Sequence, residues 1–238
     1  MNLSVSEILG TLFGEQPAPP SVIVVATGIA AVAVVAVNLV WRWARNIITI
    51  AHEGGHALVA LLTGRRLNGI RLHADTSGLT YSQGQRRGLS ATLTLMAGYL
   101  APALLGLGAA FLVSRGLVVL LLWIMLALLA AMALFIRNAF GIAVIVVVGF
   151  GVFAVAWWAD TDVRSTLAHL GAWFLLVGAV RPVWEVWRQR ARGKATDSDP
   201  DQLADITGVP ALLWLLLFAL VNVAALALGA DLLLPELW

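Results

Sequence analysis

Stretches of about twenty residues with few or no charges recur along this chain, at 21–41, 46–63, 89–113, 116–136, 139–158, 166–187 and 207–229. A helix needs about 20 mostly apolar residues to cross the hydrocarbon core of a bilayer. Inside lipid every backbone N–H and C=O must find its partner within the protein, which leaves helices as the natural solution for such runs. Composition agrees, with 61% hydrophobic and only 12% charged residues, against roughly 25% charged in soluble domains. The expectation is an all-α integral membrane protein of about seven transmembrane helices, forming one polytopic domain over 21–230 with the lipid bilayer around it. Residues 1–20 form an N-terminal tail or a short interfacial helix that Pro17, Pro19 and Pro20 stop, and 231–238 form a C-terminal tail. The first residues lack a basic n-region, so they do not read as a cleavable signal.

Two polar segments interrupt the apolar runs. In 64–88, Ile70, Leu72 and Ala74, then Leu79 and Tyr81, alternate about the turn-like "DTSG", which predicts a β-hairpin. Segment 188–206 passes from basic to acidic and reads as a loop. Lysine and arginine collect on the cytoplasmic side of a membrane protein. A seven-span map with the N-terminus in the cytoplasm puts Arg65, Arg66, Arg71, Arg86, Arg87, Arg137, Arg188, Arg190, Arg192 and Lys194 on that side and Arg42, Arg45, Arg115 and Arg164 on the other. Both polar segments are then cytoplasmic, and the membrane expected is a bacterial cytoplasmic membrane. Trp41, Trp43, Trp157, Trp158, Trp184 and Trp187 lie near span ends, as an interfacial belt would. A net charge of +2 makes no nucleic-acid surface. With no cysteine, any metal site must use histidine and carboxylate.

The least apolar run carries "TIAHEGGHALVALLTG" (49–64). His52, Glu53 and His56 spell H-E-x-x-H, which on a helix puts two imidazoles on one face one turn apart, where they can share a zinc ion. Glu53 can act as general base toward a water that zinc acidifies. Thr49, His52, Glu53, His56, Ala60 and Thr63 form a small or polar stripe, and Ala51 with Gly55 makes a small-xxx-small pair for close helix approach. An acidic group at mid-membrane costs about 2.5–3.5 kcal/mol on insertion scales, so such a cluster points to function.

"AHEGGHALVALLTGRRLNGIRLHADTSGLTYS" resembles the site-2 protease family of intramembrane zinc metalloproteases, in its compact B-like branch. "AGYLAPALLG" (97–106), "RNAFG" (137–141) and "SDPDQLADITGVP" (198–210) resemble that branch at matching intervals. The resemblance implies an intramembrane metalloprotease domain with a Zn2+ cofactor and a membrane-protein substrate, cut in or near its transmembrane segment. It also implies that an unwound substrate segment adds as a strand to the hairpin edge, around Ile70, Leu72 and His73. The aspartate that better-known members carry in an L-D-G or N-P-D-G motif is missing. Asp199 matches the "S-D" of the branch's C-terminal motif and is the expected third ligand, with Asp201, and then Asp197, as weaker substitutes. Asp199 also fits a helix N-cap with Pro200 at N1 and Gln202 as capping-box partner.

Asn138 suits either an oxyanion or substrate contact or a cap for the following helix. Arg181 and Glu185 are spaced i, i+4 and pair, and His169 reads as a packed histidine. The competing function is a non-proteolytic metal-binding scaffold or transporter, although no internal repeat of the transporter kind is evident. A membrane zinc protease of the type that trims prenylated proteins needs a second glutamate-bearing helix, for which Glu185 is a poor candidate. With no large extramembrane domain, regulation is expected to depend on another membrane protein.

Overall fold

The computed structural model describes residues 5–193 and 197–234. Leu3, Lys194 and the end of the C-terminal tail lie outside the described residues, as does the side chain of Ile8. The chain runs α1 (Val5–Phe13), α2 (Ser21–Ala36), α3 (Asn38–Leu62), β1 (Arg66–Leu72), β2 (Gly78–Gln83), α4 (Leu89–Ser114), α5 (Val118–Ala133), α6 (Ala139–Trp158), α7 (Thr161–Ala191), α8 (Asp199–Thr207) and α9 (Ala211–Leu233). Of the two readings of the N-terminal segment, α1 makes it a short helix.

The structure does not confirm seven spans. Among the described residues, α4, α6, α7 and α9 are long and apolar enough to cross a membrane, and α2 with α3 adds a fifth if the bent pair counts as one. The first two apolar runs, expected as separate spans, meet at Val37 with a 102° bend. At 16 residues, or ~24 Å at 1.5 Å per residue, α5 falls short of a full span but still links the two ends of the bundle.

A half-buried polar network holds the bend. The α2 carbonyl of Val35, orphaned at a helix end, accepts from the Arg181 guanidinium of α7. Arg181 also donates to Asn38 Oδ1 and lies over the Trp41 ring, 4.8 Å from its centroid. Glu185 joins them, accepting from Arg181 Nε at 2.9 Å and Trp41 Nε1 at 3.0 Å and pairing with Arg45 at 3.1 Å. Trp41, expected in the interfacial belt, is therefore a core residue at 3% exposure, whereas Trp43, Trp157, Trp158 and Trp184 are exposed. The expected Arg181–Glu185 pair is present but is one edge of a larger cluster.

These contacts also overturn the seven-span charge map. The chain before α2 sits at the end of the bundle where α4 finishes and α7 starts, with Gln16 N–H donating to Gly116 O at 2.9 Å and Ser165 Oγ to Pro17 O at 3.3 Å. The hairpin sits at the other end, where α4 starts; Ser90 Oγ donates to Thr63 Oγ1 at 3.0 Å. The N-terminal segment and the hairpin therefore lie at opposite ends of the bundle. Through Glu185, Arg45 belongs to the hairpin end.

The hairpin lies where expected, with a register that pairs Ile70 with Thr80 and Leu72 with Gly78. Ile70 and Leu72 are fully buried against Met132, Ile136 and α3, so Gly78 and Thr80 face inward with them. Leu79 and Tyr81, which the alternation marks as an apolar face, point outward, with Arg71 over the Tyr81 ring. The outer edge of β1 is occupied. Ile70 N–H donates to Phe135 O at 2.8 Å and Arg137 N–H to Ile70 O at 2.9 Å. Asn138 then clasps Leu72, its Oδ1 accepting from the N–H at 3.2 Å and its Nδ2 donating to the C=O at 2.7 Å. Segment 188–206 is not the expected loop, since α7 continues to Ala191 and α8 begins at Asp199.

At the centre, α4 packs against α3, α7 and α9. The predicted close approach at Gly55 is real: a Cβ there would stand 2.5 Å from Ala101 Cβ and 2.7 Å from Ala97 O on α4. Bare backbone contact at this crossing is what brings the H-E-x-x-H segment into the bundle.

Candidate metal centre

On α3, His52 and His56 stand one turn apart, and the first turn of α8 brings Asp199 up to them. The His52 and His56 Nε2 atoms are 3.0 Å from each other, and each is 3.2 Å from Asp199 Oδ2. Three ligands at ~2.0–2.1 Å around a tetrahedral zinc ion would be separated by about 3.3–3.4 Å. A nearly equilateral triangle of two imidazole nitrogens and a carboxylate oxygen therefore fits that ion with a few tenths of an ångström of outward adjustment. It is the group among the described residues whose donor atoms gather closely enough to hold a metal. Burial works to raise the Asp199 carboxyl, but His56 and His52 beside it outweigh burial and hold it well below the usual carboxylate range.

The imidazoles are oriented from α4. His56 Nδ1 lies 2.7 Å from Thr94 O, and since a carbonyl only accepts, Nδ1 carries a proton and Nε2 is the nitrogen that faces the site. Such outer partners set both tautomer and ring orientation. Gly98 makes room: a Cβ there would come within 2.5 Å of His56 Cε1 and 2.7 Å of His52 Cε1. The Tyr99 ring meets His52 edge-on at 4.9 Å and stacks on Phe218 of α9 at 5.2 Å. None of these three was singled out in the sequence. A backbone carbonyl carries no residue-type signal, and Gly98 and Tyr99 fall in "AGYLAPALLG", a stretch that carries the resemblance without marking either residue for a role.

The capping alternative for Asp199 is wrong by one residue. Ser198 is the N-cap of α8, and Asp201, not Gln202, completes the capping box. Asp201 accepts from the Ser198 N–H and hydroxyl through Oδ2 and pairs with Arg190 through Oδ1. Both its oxygens are engaged away from the imidazoles. Asp199 at N1, freed from capping, turns inward to the histidines.

Glu53, between the two histidines in sequence, is 4% exposed and faces the hairpin. Its Oε2 accepts from Thr80 Oγ1 at 2.6 Å. Asn138 stands at the N-cap position of α6, but its side chain makes no capping hydrogen bond and instead pairs with the Leu72 backbone of β1. Strand addition at Ile70 and Leu72 finds no free edge, for the same reason. His73 is exposed in the turn, its Nδ1 3.2 Å from Ser77 Oγ. Glu185 is committed to the bend network, and His169 is packed at 3% exposure with Nδ1 2.7 Å from Ser165 O.

A model of the Peptidase M50B-like family matches residues 25–229, a range that holds α3, the hairpin, α4 and α8 and so the whole His–His–Asp cluster. The chain belongs to that family. It is thus a member of the site-2 protease group of intramembrane metalloproteases. No curated protein and no solved structure matches the sequence significantly. In this M50B-like peptidase the match begins inside α2 and ends inside α9, so the bent pair and the last helix belong to the family unit.

Proposed function

We propose that this chain is a zinc metalloprotease that hydrolyses a peptide bond in or near a transmembrane segment of another membrane protein, through a single domain over 21–230. The observation that supports this most is the triangle of His52, His56 and Asp199 donor atoms at 3.0–3.2 Å, beside a buried Glu53. A zinc ion bound there would lower the pKa of a water to about 7 and polarise the scissile carbonyl. The two imidazoles and the Asp199 carboxylate would hold it, with Thr94 and Gly98 keeping the rings aimed. Glu53 takes a proton from the attacking water and delivers it to the amine nitrogen as the C–N bond breaks, so peptide plus water become carboxylate and amine. A scaffold or transporter would leave that buried carboxylate without a task.

The substrate must be unwound before its carbonyl is accessible. With β1 closed by 135–138, the edge for strand addition is the outer edge of β2, which has no strand partner among the described residues. Of the four arginines expected on the far side, Arg45 lies at the hairpin end, while Arg115 and Arg164 stand where α4 finishes and α7 starts. The positive-inside rule then puts the hairpin in the cytoplasm and the N-terminal segment on the opposite face.

The test uses purified protein in liposomes with a panel of single-span membrane substrates. Wild type should release cleaved product that chelation abolishes, and Glu53→Gln should lose cleavage by about 10²–10⁴-fold, the usual worth of a positioned base. Full cleavage by Glu53→Gln would refute the mechanism.

A further inference from the structure

The inward face of β2 is built around Glu53, and its sequence is not what a packing face requires. Gly78 and Thr80, two residues apart, lie on the same side of the strand as the buried Ile70 and Leu72. The apolar Leu79 and Tyr81 are turned out to 46% and 45% exposure. Burial of apolar area alone would favour the opposite facing, since a strand shifted by one residue exchanges its two faces. What the observed facing provides is specific to Glu53. Thr80 Oγ1 donates to Glu53 Oε2 at 2.6 Å and lies 3.2 Å from Glu53 O. At Gly78 a Cβ would stand 2.5 Å from both Cγ and Oε1 of Glu53, so the carboxylate rests on bare backbone there.

We propose that Thr80 is a positioning residue for hydrolysis: its hydroxyl fixes one oxygen of Glu53 and leaves the other, beside Gly78, to exchange the proton with water and the leaving amine. The role rests on the proposed base function of Glu53. A carboxylate on a long side chain has free rotation about three bonds, and a short hydrogen bond from the hydroxyl removes most of it. Because Thr80 belongs to the strand whose outer edge is the proposed substrate site, a peptide seated on β2 is aligned by the same element that aligns the base. The hairpin thereby ties substrate registration to Glu53.

The experiment compares wild type, Thr80→Val, Thr80→Ser, Gly78→Ala and Glu53→Gln for kcat, KM, bound zinc and thermal midpoint in liposomes. Thr80→Val, which keeps the shape and removes the donor, should lower kcat by roughly 10–100-fold, as loss of an orienting partner does, with KM and zinc content near wild type. Thr80→Ser should return kcat to within a few-fold of wild type. Gly78→Ala should lower kcat without removing zinc. A wild-type kcat for Thr80→Val overturns the proposal. So do equal losses in the valine and serine variants, or a kcat loss that tracks loss of zinc or of folding in both. Should Thr80→Val fail to fold, Thr80→Ser and Thr80→Ala decide by the same contrast. If Glu53→Gln cleaves fully, the base assignment falls and takes the role of Thr80 with it. An inactive Glu53→Gln alongside a fully active Thr80→Val removes Thr80 alone.

Discussion

At the scale of single residues, the first turn of α8 divides two neighbouring aspartates between two tasks. Asp199 faces the imidazoles, while Asp201 closes the capping box with Ser198 and holds Arg190. Asp201→Ala should therefore cost about 1 kcal/mol of stability, the usual worth of a helix cap, measured by denaturation in detergent, with metal binding intact. Asp199→Ala should remove a ligand and leave the cap in place. The spacing in "SDPD" is legible as a helix start in the sequence, but which residue caps it is not. Asp199 as cap and Ser198 as cap differ by one position, about 100° of rotation on the helix, and only the histidines opposite select the second. His52, Glu53 and His56 were legible because their chemistry requires fixed residue types at fixed spacing. Thr94 was not, because its contribution is a backbone carbonyl.

Among the elements, the hairpin shows how a local pattern can be right about structure and wrong about facing. Alternation located both strands, yet Thr80 rather than Leu79 faces inward, where its hydroxyl meets Glu53 and a Cβ at Gly78 would strike the same side chain. Strand addition at Ile70 and Leu72 failed for a non-local reason. Asn138 and the 135–137 backbone, more than sixty residues further along, close that edge. Replacing Asn138 with leucine strips the partners from both Leu72 backbone groups. About 1–3 kcal/mol is expected from leaving such buried groups unsatisfied, and hydrogen exchange should show the Leu72 amide losing protection while the α3 amides keep theirs. Unchanged protection at Leu72 would mean that the clasp carries no stability.

Across the whole molecule, hydropathy marks apolar runs but does not record their direction. Arg42 and Arg45 between the first two runs read as a loop between spans. They sit instead inside α3, where the Glu185 carboxylate pairs with Arg45 and the helix bends 102° away from α2. The N-terminal segment lies at the end of the bundle opposite the hairpin. The absence of native cysteine makes this easy to check. Glu15→Cys and Gln85→Cys should react with an impermeant maleimide from opposite sides of sealed membrane vesicles, and labelling of both from one side would contradict the arrangement.

The account stands or falls on whether His52, His56 and Asp199 hold a metal ion together. Elemental mass spectrometry of the purified protein after zinc loading and dialysis measures this directly, run beside His56→Ala, Asp199→Ala and Asp201→Ala. One zinc ion per chain in wild type and Asp201→Ala, with loss in His56→Ala and Asp199→Ala, is the predicted result. A wild-type protein that stays free of zinc, or an Asp199→Ala protein that retains a full ion with unchanged affinity, would contradict it.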